Sequence, residues 1–281
     1  MNLTTSTPTP RGLHVSITDS RQPWTTDHLP VVFNHGIGTS GDIWTAWLPA
    51  LIGRHRCARF DLRGYGQSQV PPLAHRWTFD ELVADLLEVA VLAGPGKVHL
   101  VGESLGGTVV LAAAARHPDR VASATVSNTA FKGSGIQYVK GWREAFERDG
   151  AAAWSDDMMV KRFAPGTLTE EQYRWFSEQQ RKSAGHVTAG LGEMLAAADL
   201  TAELPKIKAP LLILMPDRSP FVTARMGVEL AEHVGHAELA VYPGVRHGLP
   251  FSHAAECSAR LADFIDRAER GKTGGAALPK A

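Results

Sequence analysis

A glycine-rich pentapeptide, Gly102-Glu103-Ser104-Leu105-Gly106, is the feature that most constrains how this chain can fold. It follows an apolar run at 98–101 and precedes an alanine-rich stretch at 108–116, so the sequence predicts a strand, a sharp turn and a helix. Glycines on both sides of Ser104 permit a turn that leaves no room for side chains. A serine at the tip of such a G-x-S-x-G turn is typical of a nucleophile raised above the edge of a sheet.

Composition excludes several classes of protein. Lys plus Arg and Asp plus Glu both number 29 in 281 residues, so no excess charge favours nucleic acid or an anionic membrane. No segment is long and apolar enough to span a bilayer, and the first ten residues lack the pattern of a signal peptide. Cys57 and Cys257 lack metal-ligand spacing and are predicted to be reduced thiols. We expect a cytoplasmic protein without a cofactor or metal.

Strand-like and helix-like runs alternate along most of the chain. This alternation predicts an α/β fold with a mostly parallel central sheet and helices on both faces. The predicted strands cover 12–18 (in an edge hairpin), 29–34, 57–62, 98–101, 121–127, 211–215 and 237–242. The predicted helices include 43–52, a segment capped by Thr78, the stretch after Ser104, 222–234 and a last helix from about 253 to 270.

The alternation stops between residues 129 and 204, where aromatic residues punctuate helical segments and no strong strand is found. An aromatic-rich helical insert of this kind is suited to covering a site. We therefore predict a core formed by 1–128 and 205–270, a helical cap at 129–204 and a flexible tail at 271–281.

A serine hydroxyl needs a base within hydrogen-bond reach before it can act as a nucleophile at neutral pH. With a G-x-S-x-G turn, that base is a histidine late in the chain, after the last strand. His247 occupies this place and is the predicted base for Ser104. His253 is the alternative, although it is expected to belong to the last helix.

Acyl transfer also needs hydrogen-bond donors for the developing oxyanion. The predicted donors are the backbone N–H of Leu105, which follows the nucleophile, and the N–H of Ile37, in the turn after an early strand. His35 lies in the same turn and is expected to brace it rather than to act as a base.

Together these motifs resemble the α/β-hydrolase-fold family over about residues 12–270. The resemblance rests on His35-Gly36, Asp61-Leu62-Arg63-Gly64-Tyr65-Gly66-Gln67-Ser68, the segment 102–107 and the His247 loop. Within the family the chain is most similar to 3-oxoadipate enol-lactonases, through residues 33–39, 127–130 and 162–165. The resemblance implies an α/β-hydrolase fold with a helical cap, a Ser-His-acid triad and a substrate that bears a carboxylate.

The acid of the triad is where the chain departs from the family pattern. The family acid usually follows the strand here predicted at 211–215, and an ungapped alignment puts Ser219 in its place. Asp217 lies two residues earlier, and the other position used in the family holds Asn128. We predict that Asp217 reaches His247 through a rearranged loop, and we leave open an acid from elsewhere. A serine or asparagine could hold the imidazole tautomer but could not stabilise imidazolium by charge.

The sequence thus predicts a serine hydrolase that cleaves an ester, lactone, amide or related activated carbonyl in a small catabolic metabolite. The candidate partners for a substrate carboxylate are basic residues in or near the insert: Lys132, Lys140, Arg143, Lys161 and Arg162. Two alternatives stay open, namely a cofactor-free Ser/His lyase, oxygenase or perhydrolase, and a ligand-binding protein on a hydrolase scaffold. The expected partner is a small molecule, with no nucleic acid and no membrane, and a homodimer is left open.

Overall fold

An eight-stranded sheet forms the centre of the protein in the computed structural model, which describes residues 3–25, 28–137 and 141–271. Its strands are β1 (Leu3–Pro8), β2 (His14–Asp19), β3 (Val31–Asn34), β4 (Cys57–Phe60), β5 (Val98–Glu103), β6 (Val121–Ser127), β7 (Leu211–Pro216) and β8 (Ala237–Tyr242). They are arranged in the order β1-β2-β4-β3-β5-β6-β7-β8. Strand β2 is antiparallel to both of its neighbours, and the other neighbours run parallel. The sheet is therefore mostly parallel, as the sequence predicted.

Helices connect these strands and cover both faces of the sheet. They are α1 (Phe79–Ala93), α2 (Leu105–Arg116), α3 (Trp142–Arg162), α4 (Glu170–Arg181), α5 (Gly185–Ala196), α6 (Ala224–Val234), α7 (Leu249–Ser252) and α8 (Ala254–Glu269). A ten-residue 3-10 helix, Gly41–Ala50, follows β3, and shorter ones lie at Gly133–Gly135 and Leu204–Lys206. Helix α1 begins where the sequence predicted, since the Thr78 side chain accepts a hydrogen bond from the N–H of Glu81.

The central strands are apolar throughout because side chains alternate between two covered faces. In β3, Val32 packs into a core shared with α1, α2 and α6. Its neighbours Val31 and Phe33 pack into a second core shared with the Gly41–Ala50 helix and α8. The sheet is thus fixed from both sides, which gives the loops at its carboxyl edge a rigid base.

Strand β1 was not predicted, because its Thr- and Pro-rich sequence lacks the apolar pattern of a buried strand. It pairs with β2 along six residue pairs at the outer edge of the sheet, and most of its side chains are exposed. Backbone pairing, which sequence pattern does not report, therefore holds this strand in place.

The segment between β6 and β7 contains helices α3, α4 and α5, and among its described residues the only β pairing is an isolated bridge between Lys132 and Asp199. The predicted cap limits of 129 and 204 stay a prediction. Of the predicted tail, residues 272–281 lie outside the described residues. Both cysteines are free and buried. Over the described ranges, no helix combines the length and apolarity needed to cross a membrane.

The first turn of α2 packs against the end of β3 so closely that Gly106 has no space for a side chain. A Cβ atom there would lie 2.4 Å from the carbonyl oxygens of Asn34 and His35. Alanine normally stabilises a helix relative to glycine, so a loss of stability in Gly106→Ala would point to a steric clash at this position. We expect Gly106→Ala to lower the free energy of unfolding by about 1–3 kcal/mol through overpacking, measured by urea denaturation.

The matched control is Gly53→Ala, because nothing lies within 4 Å of a Cβ at Gly53 and its φ is not in the left-handed region. We expect this control to change the free energy of unfolding by less than about 0.5 kcal/mol. Equal values for the two variants would contradict the tight packing of α2 on β3.

Candidate active site

Ser104 lies at the tip of the turn between β5 and α2, in a conformation that non-glycine residues rarely adopt. Its φ is 52° and its ψ is −122°. The turn is tight enough that a Cβ at Gly102 would lie 2.5 Å from the carbonyl oxygen of Gly106. Backbone strain of this kind persists only when the surrounding structure holds it, and it concentrates at functional sites.

His247 lies in the loop between β8 and α7, and its Nε2 is 3.2 Å from the hydroxyl oxygen of Ser104. Its ring is buried and makes an edge contact with the ring of Phe221 at 4.7 Å. The structure therefore brings the predicted nucleophile and base into hydrogen-bond contact. His253, the alternative base, instead has its Nδ1 2.8 Å from the hydroxyl of Ser252.

The structure corrects the expectation that Asp217 reaches His247. The Asp217 carboxylate is exposed and accepts a hydrogen bond of 2.7 Å from the N–H of Gly244. It is held there because Asp217 continues from β7 beside β8, with its N–H bonded to the carbonyl of Tyr242. The residue that contacts His247 Nδ1 is Ser219, whose hydroxyl oxygen lies at 2.9 Å.

Ser219 occupies the place of an acid but lacks its charge. Its oxygen also accepts the N–H groups of Phe221 at 3.2 Å and Val222 at 3.3 Å, so three donors converge on one hydroxyl. This nest of donors would suit a carboxylate. With serine the nest can orient the imidazole, but it supplies no negative charge to stabilise an imidazolium.

Glu103 and Asn128 contact the site from the other side, and the sequence analysis gave Glu103 no role. The Glu103 carboxylate is 2% exposed and accepts hydrogen bonds from the N–H of Gly36 at 2.9 Å and from Asn128 Nδ2 at 3.0 Å. The same Asn128 nitrogen lies 3.3 Å from His247 Nε2. No sequence signal beyond the neighbourhood of Ser104 pointed to this contact.

The contact with Glu103 fixes the orientation of the Asn128 side-chain amide toward His247. A carboxylate only accepts hydrogen bonds, so the amide NH₂ of Asn128 faces it, and the second amide hydrogen is available to His247 Nε2. Nε2 is then the acceptor and the proton of the neutral ring lies on Nδ1. This is the tautomer that a base for Ser104 requires.

Arg162, the last residue of α3, is the one candidate carboxylate partner that the structure places at this site. It is 4% exposed, donates through Nη2 to the carbonyl of Ile37 at 2.7 Å and lies over the ring of Phe176. Its Nε is buried without a hydrogen-bond partner, and within the described ranges no carboxylate forms an ion pair with it. The buried carboxylate of Glu103 is near enough to favour the cation, but burial outweighs it and lowers the pKa of Arg162, so a further anion is the expected companion.

The other basic candidates are held elsewhere or cannot be placed. Lys132 pairs with Asp199, Arg143 with Glu193 and Lys161 with Asp157. These pairs are partly or largely exposed, as is typical of a solvated protein surface. Lys140 lies outside the described residues.

The two predicted oxyanion donors belong to residues close to Ser104. Ile37 lines the same pocket as Ser104, and Leu105 is the first residue of α2, whose amino end favours negative charge. No backbone acceptor in the described part of the chain is bonded to either N–H. His35 braces the Ile37 turn as expected, because its Nδ1 bonds the carbonyl of Gly36 and its Nε2 accepts the N–H of Leu62.

These groups line a narrow pocket with a cavity volume of about 20 Å³. Ser104, Asn128, Arg162 and His247 form its polar part. Its apolar wall includes Ile136, Trp142, Leu195, Phe221 and Val222. A mostly apolar pocket with a few convergent polar groups is the usual form of a small-molecule site.

The sequence pattern of the α/β hydrolase fold family matches residues 30–254. The chain therefore belongs to this family and is an α/β-hydrolase-type enzyme. It is 30% identical over 84% of its length to a non-heme haloperoxidase of Rhodococcus erythropolis, of which the match covers 92%. It is 24% identical over 82% of its length to 3-oxoadipate enol-lactonase 2 of Acinetobacter baylyi, of which the match covers 88%. The family resemblance stated from the sequence is confirmed.

The same fold is found in the crystal structure of the enol-lactonase from Burkholderia xenovorans. The superposition has a TM-score of 0.79, covers 90% of this chain and 96% of that one, and pairs residues that are 24% identical. The predicted α/β-hydrolase fold is thereby confirmed.

The buried surroundings of His247 disfavour its protonated form. Burial, and to a lesser extent the positive charge of Arg162, hold the pKa of His247 well below its ordinary value of 6.5. We expect NMR of the imidazole nitrogens to show a ring that stays neutral at pH values below 6.5. Arg162→Met should raise the pKa of His247, because removing a nearby cation favours imidazolium.

Arg143→Met is the matched control, since Arg143 is exposed and paired with Glu193. We expect this variant to leave the pKa of His247 the same as in the unsubstituted protein. A titration of His247 that does not respond to Arg162→Met would show that burial alone sets its pKa.

Proposed function

We propose that this protein is a serine hydrolase that cleaves an ester, lactone, amide or related activated carbonyl in a small, carboxylate-bearing metabolite. The observation that carries the proposal is the contact between Ser104 and His247 beside a buried Arg162 whose Nε has no hydrogen-bond partner among the described residues. The similarity to a relative named 3-oxoadipate enol-lactonase supports the same substrate class.

In the proposed reaction, the Ser104 hydroxyl attacks the substrate carbonyl while its proton passes to His247 Nε2. The N–H groups of Ile37 and Leu105 stabilise the oxyanion of the tetrahedral intermediate. His247 then gives its proton to the leaving group, and an acyl-enzyme on Ser104 remains. Water repeats these steps with His247 as base, which releases the acid and restores the serine.

A substrate carboxylate would have two effects in this site. It would form a direct ion pair with the buried guanidinium of Arg162, which has none among the described residues. By neutralising Arg162 it would also remove the cation that disfavours imidazolium at His247. The carboxylate would therefore help the chemical step as well as binding, which matters in a site where Ser219 supplies no charge.

We expect an enol ester or lactone with a carboxylate to be hydrolysed about 100-fold more efficiently, in kcat/KM, than its neutral methyl ester. Arg162→Met should lower kcat/KM for the carboxylate substrate by about 10- to 100-fold, the range for a lost charge-assisted hydrogen bond. The neutral substrate should lose less, because it loses only the support that Arg162 gives to the Ile37 turn and not an ion pair. Equal losses for both substrates would remove Arg162 from substrate recognition.

Ser219→Asp tests whether the site lacks only the charge of an acid. The backbone N–H groups of Phe221 and Val222 are already in place to hold a carboxylate beside His247 Nδ1. Loss of this carboxylate costs on the order of 10⁴ in turnover in serine proteases, so we expect its introduction to raise kcat by at least about 10-fold.

Ser219→Asn is the control, because it changes the size of the side chain without adding charge. It should not raise kcat, and circular dichroism should show both variants to be folded. A folded Ser219→Asp protein with no gain in turnover would indicate chemistry that does not depend on a stabilised imidazolium.

The hydroxyl at His247 Nδ1 also favours a second candidate, a cofactor-free Ser/His lyase, oxygenase or perhydrolase. In a proton-transfer reaction the deprotonated substrate itself carries the charge opposite to the imidazolium, so a carboxylate on Nδ1 is less necessary. The relative named non-heme haloperoxidase supports testing the perhydrolase form.

One experiment separates these candidates. Fluorophosphonate labelling of Ser104 is combined with turnover of p-nitrophenyl acetate, small lactones, and carboxylate-bearing enol esters and amides. Labelling and turnover that both disappear in Ser104→Ala support the hydrolase. Peroxide-dependent halogenation without hydrolysis would favour the perhydrolase. No labelling and no turnover would reject the hydrolase proposal.

A further inference from the structure

The ring of His247 can carry its single proton on either nitrogen, and only one of these two tautomers can act as the base for Ser104. Burial keeps the pKa of His247 well below 6.5, so the ring is neutral at neutral pH. Its Nε2 lies 3.2 Å from the Ser104 hydroxyl and must hold a lone pair in order to accept that proton. In a complete triad the charged acid holds the ring proton on Nδ1. Ser219 lies in the place of that acid here, so the tautomer depends on what the hydroxyl and the other contacts of the ring allow.

The hydroxyl of Ser219 does not by itself select a tautomer. A hydroxyl has a hydrogen to donate and lone pairs that accept, so it can bond Nδ1 with or without a proton on that nitrogen. The N–H groups of Phe221 at 3.2 Å and Val222 at 3.3 Å both point to the same oxygen. When they occupy its lone pairs, the hydroxyl is free to donate its own hydrogen to Nδ1, 2.9 Å away. The contact at Nδ1 therefore permits the inactive tautomer as well as the active one.

The contacts on the Nε2 side are selective, because they begin at a buried carboxylate. Oε1 of Glu103 accepts the N–H of Gly36 at 2.9 Å, which fixes the carboxylate, and Oε2 accepts from Asn128 Nδ2 at 3.0 Å. The amide oxygen of Asn128 has no hydrogen-bond partner among the described residues, so the contact with Glu103 decides how the amide is turned. The same Nδ2 lies 3.3 Å from His247 Nε2. A donor at this position is compatible with a lone pair on Nε2 and not with a proton.

We propose that Glu103 is the positioning residue that selects the active tautomer of His247, and that it does so through Asn128. The carboxylate turns the amide NH₂ of Asn128 toward Nε2, and the ring proton is thereby held on Nδ1. This inference rests on the proposed function, in which Nε2 accepts the proton of Ser104. The selection that an acid makes at Nδ1 in a complete triad is made here at the opposite nitrogen, by the residue that directly precedes the nucleophile.

Glu103→Gln tests this selection with little change in shape. The oxygen of the new amide stays with the N–H of Gly36, so its NH₂ faces Asn128. Asn128 then turns its own oxygen toward this NH₂, and the same oxygen faces His247 Nε2, which must carry a proton to bond it. We expect NMR of the imidazole nitrogens at neutral pH to show the proton on Nδ1 in the unsubstituted protein and on Nε2 in Glu103→Gln.

The same variant should lose turnover rather than substrate binding. The wrong tautomer costs on the order of 10⁴ in turnover in serine proteases. We therefore expect Glu103→Gln to lower kcat for a carboxylate-bearing lactone by at least about 100-fold, while KM changes by less than about threefold.

Glu269→Gln is the matched control. Glu269 is also a largely buried carboxylate that accepts a backbone N–H, that of Leu29 at 2.9 Å. It is the last residue of α8 and lies near the amino end of β3, whereas Ser104 follows the carboxyl end of the parallel strand β5. This control should leave the tautomer of His247 and kcat unchanged, even where it lowers the stability of the fold.

Asn128→Gly shows whether Glu103 acts through Asn128. Glycine accepts the positive φ of 43° at this position and removes the amide. Ser219 can then donate to Nδ1, so we expect the ring proton to shift toward Nε2. Adding Glu103→Gln to Asn128→Gly should cause no further change in the tautomer, because the intermediary is already absent.

Three results would overturn the proposal. These are a ring proton on Nε2 in the unsubstituted protein, the same tautomer in a folded Glu103→Gln protein as in the unsubstituted one, and a further shift when Glu103→Gln is added to Asn128→Gly. Circular dichroism reports whether each variant is folded. If Glu103→Gln does not fold, an unchanged tautomer in Asn128→Gly overturns the proposal instead. The tautomer is read without substrate, so this inference can fail while fluorophosphonate labelling of Ser104 still supports the hydrolase.

Discussion

The burial that holds His247 neutral and the hydrogen bonds that orient its ring are the constraint on which the rest of the site depends. Asn128, fixed by the buried carboxylate of Glu103, faces Nε2, while Ser219 faces Nδ1. These contacts select the tautomer that can accept the proton of Ser104. None of them stabilises the ring once it is protonated, so the geometry of a triad is present without the charge of its acid.

The absence of a charged acid beside His247 is linked to a second feature of the site, the buried guanidinium of Arg162. It brings the end of α3 against the Ile37 turn and adds a positive charge to a pocket that already disfavours imidazolium. Under the proposed function, an anionic substrate adds a negative charge beside Arg162 and His247. In that proposal, the preference for carboxylate-bearing substrates and the presence of serine at position 219 have one common cause, which is that the substrate supplies the negative charge.

Sequence reasoning succeeded where chemistry follows local pattern and failed where it follows contacts between distant segments. The turn at Ser104 could be predicted because two glycines and a strand–helix boundary encode it within a few residues. Asp217 was a wrong choice because a two-residue offset at the end of β7 decides which side chain faces His247. Strand β1 was missed because its place in the sheet depends on backbone pairing, which leaves no apolar pattern in the sequence.

The sequence by itself determined the alternation of strands and helices, the strained serine between β5 and α2, and a histidine after the last strand. These depend on hydrophobic period and on glycine at fixed offsets, which are properties of short segments. Only the tertiary structure decided that Ser219 faces His247, that Glu103 orients Asn128, and that Arg162, alone among the basic candidates the structure describes, is buried at the pocket. Hydrogen bonds of about 3 Å between separate loops depend on packing, and packing is settled only when the whole chain has folded.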